Sequence, residues 1–142
     1  MADAKQIVEQ LAKPFRGKDL EWRIQRAGVN SRSGEIFAIV VPYVTARAIM
    51  DRLDEVVGAE NWQTAPLTPT GPLGKSTGLV GGIGIRFEDE DGNSRWVWKY
   101  DVAQATDIEG VKGAASGALK RAAVHWGMGR DLYGVGDLFA QV

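Results

Sequence analysis

The run from Asp107 to Tyr133 constrains this chain more than any other stretch. Asp107 is placed to cap a helix, Glu109 falls in its first turn, and Gly127 and Gly129 supply a stop. Between them Ala115, Leu119, Ala122 and Trp126 recur at i, i+4, i+7 and i+11, which is one apolar helical face. Lys112, Ser116 and Lys120 recur at i, i+4 and i+8 on another, with Arg121 beside them. Gly113 and Gly117 interrupt this helix, and each weakens it by roughly 1 kcal/mol relative to alanine. Spaced by four, they leave a flat strip that another backbone can approach closely. On periodicity alone this is a small-residue helix laid tightly on a sheet, with Lys120 and Arg121 merely solvated, as most surface charges are.

The elements before it are legible in order. Asp3 can cap a short helix carrying Ile7, Val8 and Leu11 that ends before Pro14. The most basic stretch follows, in which Lys13, Arg16, Lys18, Arg23, Arg26 and Arg32 outnumber Asp19 and Glu21. Within it Glu21 to Arg26 alternates as a strand, Trp22 and Ile24 facing one side and Arg23 and Gln25 the other. Asn30 to Gly34 is a turn, and Ile36 to Val41 completes a hairpin as a buried strand stopped by Pro42. Thr45 to Val57 is an amphipathic helix with Ala46, Ile49, Met50, Leu53, Val56 and Val57 inward and Gly58 as its cap.

Trp62 opens another strand, and Thr64 to Thr77, with Pro66, Pro69 and Pro72, reads as a long exposed loop. Gly78 to Glu88 alternates through Ile83, Ile85 and Phe87, Asp91-Gly92 marks a hairpin turn, and Ser94 to Val102 alternates again. There Trp96, Trp98, Tyr100 and Val102 share one face, and Arg95, Val97, Lys99 and Asp101 the other. The aromatics could stack on unpaired bases. Filling the core is the expected role, because large aromatics dominate core burial. Arg95 and Lys99 then stand on an exposed basic face that Arg23 and Arg26 extend; read plainly, they are ordinary solvated strand charges. Strands outnumber crossover helices, which predicts an α+β fold with an antiparallel sheet. The tail from Gly134 can dock Leu138 and Phe139 on a surface.

Composition narrows the function. The 142 residues suit one domain and one core. With no cysteine there is no thiolate chemistry, and a reducing cytoplasm is the expected home. The first residues lack a signal pattern, and the longest apolar run, Ile36 to Val41, is too short to span a bilayer. A net charge of −1 confines any nucleic-acid site to a local basic patch. Gly74-Lys75-Ser76-Thr77 resembles the end of a phosphate loop, but Pro69 stands where the first glycine belongs and a strand follows instead of a helix, so no nucleotide site is expected. Asp89, Asp91 and Asn93 mimic a calcium loop, yet Gly92 comes two places early and Tyr100 replaces the closing glutamate. A single histidine, His125, makes neither a triad nor a histidine-rich metal site; it lies four residues after Arg121 and is expected at a subunit or sheet boundary. No cofactor is implied.

Lys112-x-Ala114-x-Ser116-x-Ala118-Leu119-Lys120-Arg121-Ala122, closed by an aromatic and Gly127, resembles the signature helix of the Rad-type single-strand annealing superfamily. With Tyr100-Asp101-Val102 and Gly127 to Tyr133, the run is similar to the bacterial DdrA branch of DNA-damage-response proteins, over roughly residues 5–135. The resemblance implies a curved antiparallel sheet packed on a long signature helix with flanking helices, and protomers joined side by side into a ring. It implies that Lys120 and Arg121 contact the DNA backbone in an inner groove, joined by an arginine of the first strand. Arg23 and Arg26 lie in that stretch, Arg26 before Ala27-Gly28 being the nearer match. Eukaryotic members carry a further basic residue one turn after the pair, where this chain has Val124. The family's outer-site lysines have no positional match; Arg95 and Lys99 are the candidates. These departures bear on duplex capture and annealing more than on single-strand binding.

Residues 1–142 are therefore expected to form one DNA-binding and oligomerisation domain, not an enzyme. It would coat and protect single strands or ends in double-strand break repair without ATP, with annealing a further expectation, in the cytoplasm on the nucleoid. The contrasting reading is a structural oligomerisation module that recruits repair partners and binds DNA weakly.

Overall fold

The computed structural model of the chain describes residues 3–70, 78–104, 110–134 and 138–141. The anticipated Asp107 cap and the Gly74 to Thr77 stretch lie outside them. Helix α1 (Ala4–Leu11) starts where the Asp3 carboxylate accepts the Gln6 amide at 2.8 Å, and it buries Ile7 and Leu11. Strands β1 (Leu20–Val29) and β2 (Ile36–Val44) form an antiparallel hairpin. Its turn is held by the Asn30 carboxamide oxygen, which accepts the Arg32 amide at 2.9 Å. Helix α2 (Ala46–Val57) is capped by Thr45, whose hydroxyl accepts the Ala48 amide at 3.1 Å, and it ends at Gly58 with φ +91°. It buries Ala48, Ile49, Leu53 and Val57, whereas Met50, expected on this stripe, faces solvent.

The second half of the chain builds a sheet around β5 (Gly78–Glu88). Short strands β3 (Trp62–Thr64) and β4 (Thr68–Thr70) pair along one edge of β5, and β6 (Ser94–Gln104) runs its full length along the other. Helix α3 (Gly110–His125) lies across β5 and β6, and β7 (Leu138–Gln141) returns to pair with β2. The fold is α+β with antiparallel sheets, as the element order predicted. The hairpin is not part of one continuous sheet, however: β1, β2 and β7 form a sheet of their own. No helix among the described residues is long and apolar enough to cross a membrane.

The core lies between these layers. Ile83, Ile85 and Phe87 of β5 meet Ala122, Ala123 and Trp126, while Leu11, Ile49, Leu53 and Met128 close the sides. The Trp126 indole N–H donates to the Ile83 carbonyl at 3.0 Å, so the largest buried ring is also polar-satisfied. Small residues set how near α3 comes. A Cβ on Gly81 of β5 would stand 2.7 Å from the Ala118 Cβ, and one on Gly117 would stand 3.2 Å from the Ala103 Cβ. The flat strip on α3 is thus used, at Gly117, against the chain's own sheet.

Three sequence expectations need correction. Pro42 does not stop β2; it pairs with Trp22 within the strand. Among the described residues, the pairing with β7 reaches only as far as Val40, and none pairs with the other side of Pro42, where a missing N–H is tolerated. The Thr64 to Thr77 loop contains β4, whose Pro69 sits on the sheet's outer edge. The aromatics of β6 do not fill the core. Trp96 and Tyr100 are 39% and 51% exposed, and it is the Val97, Lys99 and Asp101 side of the strand that faces α3. Alternation defined the two faces correctly. The small residues of α3 leave no room for rings beneath it, and this decides which face is inward.

Gly81→Ala is expected to destabilise the protein by about 1–3 kcal/mol in urea unfolding, because two rigid Cβ atoms would overlap. Gly117→Ala should be near neutral, a helix-propensity gain of about 1 kcal/mol offsetting a milder contact. A Gly81→Ala protein as stable as the parent would refute the close approach.

Candidate nucleic-acid interface

Lys120 leaves α3 on the side of the β1–β2 hairpin. It lines a hollow with Val41, Pro42, Tyr43 and Val44 of β2, Ile49 of α2, and Val124, Met128, Gly129 and Leu132. Tyr43 carries the site across to β1, because the Arg23 guanidinium lies 5.4 Å above its ring centroid. Arg23 Nε also donates to the Glu21 carboxylate at 3.0 Å. That hydrogen bond and the Arg23 charge, with the Lys120 charge behind them, hold the Glu21 carboxyl below the usual carboxylate range.

A β-bulge decides where Arg26 falls. Pairing steps from Ile24 opposite Val40 to Arg26 opposite Ile39, so Gln25 is the extra residue. Arg23 faces Val41 and Arg26 faces Ile39, two positions apart on β2 and hence on one face. Without the bulge, residues three apart in β1 would point to opposite faces. Glu21, Arg23, Arg26 and Tyr43 therefore share the side that meets Lys120, and the simple alternation that grouped Arg23 with Gln25 fails here.

Arg121 turns instead toward β6. Its Nε lies 3.4 Å from one oxygen of Asp101, and His125 Nε2 lies 3.0 Å from the other. The Asp101 carboxylate also accepts the Val102 amide at 2.6 Å. Burial pushes this carboxyl up, but the Val102 amide, His125 and Arg121 together outweigh it and hold it below the usual range. Arg121 and His125 remain about half exposed, at 49% and 48% of their side chains. The expected boundary role of His125 is thus a helix-to-sheet link.

The other two candidates stand apart. Lys99 is half-buried, its Nζ 4.9 Å from the Trp126 ring centroid, a cation–π contact that anchors it under α3. Arg95 is exposed at the far end of β6, lining a hollow with Ala4, Phe87, Glu88, Asp89, Asn93 and Ser94. The open basic face expected from Arg95 and Lys99 does not exist as one surface; the open face of β6 belongs to the aromatics. Sequence reasoning missed Tyr43, Glu21 and Asp101. Glu21 and Arg23, two apart on a strand, and Arg121 and His125, four apart on a helix, were the available signals. Among the described residues, no cluster of His, Asp and Glu is arranged to hold a metal ion. The arrangement as a whole offers a strip of cations with one aromatic ring, tempered by two carboxylates. Such a strip suits a polyanion's backbone.

Residues 3–68 and 82–142 match the family model described as Rad52/22 family double-strand break repair protein. The sequence is also similar to curated proteins named single-stranded DNA-binding protein DdrA. It is 30% identical over 128 residues to the one from Deinococcus deserti, covering 89% of this chain and 56% of the relative. It is 29% identical over 128 residues to that from Deinococcus radiodurans, covering 89% and 54%. The chain thus spans about half the length of the curated relatives it matches.

Glu21 is the carboxylate set against Arg23 and Lys120, so Glu21→Gln should strengthen retention on any polyanion. A few-fold gain in affinity, the scale of an exposed charge pair, is expected as a higher elution salt from immobilised heparin. Elution at unchanged salt would mean that Glu21 does not temper this strip.

Proposed function

This chain belongs to the Rad52/22 family of double-strand break repair proteins, and we propose that it binds single-stranded DNA through the strip formed by Lys120, Arg23 and Arg26, with Arg121 as a further contact on the neighbouring β6 side of α3. One observation carries the reading. Lys120 and Tyr43 line one hollow, Arg23 lies over the Tyr43 ring, and a bulge brings Arg26 to the same face of β1 as Arg23. Backbone contacts of this kind position a strand without reading its sequence. Lys99, beside Trp126, and Arg95, at the far turn, are the outlying contacts of the same proposal. The names of the Deinococcus relatives support the ligand class.

On this reading the protein is a binding protein and not an enzyme. It coats and protects single strands or ends in double-strand break repair without ATP, and works in the cytoplasm on the nucleoid; annealing is a further activity that this reading allows. Homo-oligomerisation into a ring would join the short strips into a continuous groove. A recruiting module with weak DNA binding is favoured only by the two carboxylates, Glu21 and Asp101, that sit against the cations. A salt titration separates the readings, since backbone binding lowers log K by about 0.7 per phosphate contact per tenfold rise in salt on a single strand.

Replacing Lys120 and Arg121 together by alanine is expected to weaken single-strand binding and to flatten that slope by up to about 1.4. Circular dichroism should report an intact fold. Unchanged binding by the folded double variant would remove these residues from the site.

Assembly should also be needed for tight binding. A net charge of −1 leaves each protomer a short strip, whereas strips joined side by side act at high effective concentration. Substitutions that give folded monomers should therefore lose tight binding to long strands with Lys120 and Arg121 intact. Light scattering for mass and fluorescence anisotropy for affinity are the measurements; a monomer that binds as tightly as the assembly would end the ring-groove mechanism.

A further inference from the structure

The face of the β5–β6 layer turned away from α3 carries an arrangement that the cationic strip does not use. Trp96, Trp98 and Tyr100 project from alternate positions of β6. Their ring centroids are 6.2 and 6.1 Å apart, and successive planes are tilted by only 27° and 17°. The rings stay flat because the partner strand offers glycines. Gly84 lies opposite Trp98 and Gly82 opposite Tyr100. A Cβ on Gly84 would stand 2.7 Å from the Trp98 ring, and one on Gly82 would stand 2.5 Å from Tyr100. Each of these two rings thus rests one side on bare backbone, and Trp96 and Tyr100 remain substantially exposed. The result is a paved aromatic platform and not a set of side chains lacking a core.

We propose that this platform is a second contact surface, one that stacks the unpaired bases of single-stranded nucleic acid. Spacing, charge and shape select that occupant. The 6 Å steps between rings are about twice the ~3.4 Å rise of a stacked strand, so they suit bases drawn apart along an extended chain. Arg86 stands opposite Trp96 on the same face, its Nε donating to the Asn61 side chain at 2.8 Å. On this face the rows Arg86–Trp96, Gly84–Trp98, Gly82–Tyr100 and Val80–Val102 carry no carboxylate; Asp101 points to the opposite face, and Glu88 lies one same-face row beyond. Gln63, opposite Gly84, and Thr68, opposite Val80, add hydrogen-bonding groups at the rim. A flat surface of ring faces suits planar bases, whereas a protein interface interlocks knobs and pockets. The platform rests on the single-strand reading above, but it recognises bases where the strip recognises phosphates.

The test compares an oligothymidylate with an equally long abasic oligomer of the same backbone. The parent protein should prefer the oligothymidylate. Trp96→Leu/Tyr100→Leu keeps apolar cover while removing two stacking faces, and leaves Trp98 over Gly84. This variant should lose about fivefold or more in oligothymidylate affinity per ring removed, with abasic binding, melting temperature and assembly mass unchanged. A retained preference in the variant overturns the platform alone, leaving the phosphate strip in place. A fall in assembly mass with an unchanged melting temperature also overturns it, by identifying the face as a contact between copies of this chain. Failure of the parent to bind either oligomer overturns both this proposal and the single-strand reading.

Discussion

The approach of α3 to β5 is the constraint from which the remaining geometry follows. Ala118 sits on Gly81, and Gly117 sits near Ala103, so helix and sheet meet almost backbone to backbone. At that distance no large side chain fits between them along the contact, and the layer is sealed at the helix end by Trp126 and its bond to Ile83. A helix held so close has little freedom to roll. Its adjacent cations are therefore sent in fixed and different directions, Lys120 toward the hairpin and Arg121 toward Asp101 on β6. The same closeness forces the bulky residues of β6 onto the outer face.

Electrostatics in this molecule is a matter of local arrangement more than of total charge. Strand carboxylates stand close to the helix cations, Asp101 beside Arg121 and Glu21 within the electrostatic reach of Lys120. Exposed pairs of this kind add little stability. Their larger effect is to orient long side chains and to temper attraction for polyanions, so that screening by salt acts on a strip already partly balanced.

Much of the fold could be read from the residues because local signals were strong. Asp3, Thr45 and Gly58 mark helix ends by mechanisms that act within a few residues, and each stands where its chemistry demands. What escaped the reading depended on distant partners. Pro42 reads as a stop because nothing local reveals the pairing with Trp22 that carries β2 through it. The bulge at Gln25 is invisible to alternation, yet it decides the face of Arg26. The outward turn of Trp96 and Tyr100 was hidden for a related reason. Hydrophobicity says that rings seek cover, and only the glycines of β5 and the small residues of α3 say on which side there is room.

The return of β7 to β2 has a consequence for biosynthesis. Val40 pairs with Leu138, and Phe37 with Gln141, so the hairpin's sheet joins residues far apart in the sequence. During translation the hairpin emerges well before β7 and must wait without that partner until β7 leaves the ribosome. In that interval an edge with Val40 and Ile39 on it is a template for any extended chain nearby. Mispairing at this edge is therefore a hazard of the nascent chain that the finished sheet no longer carries.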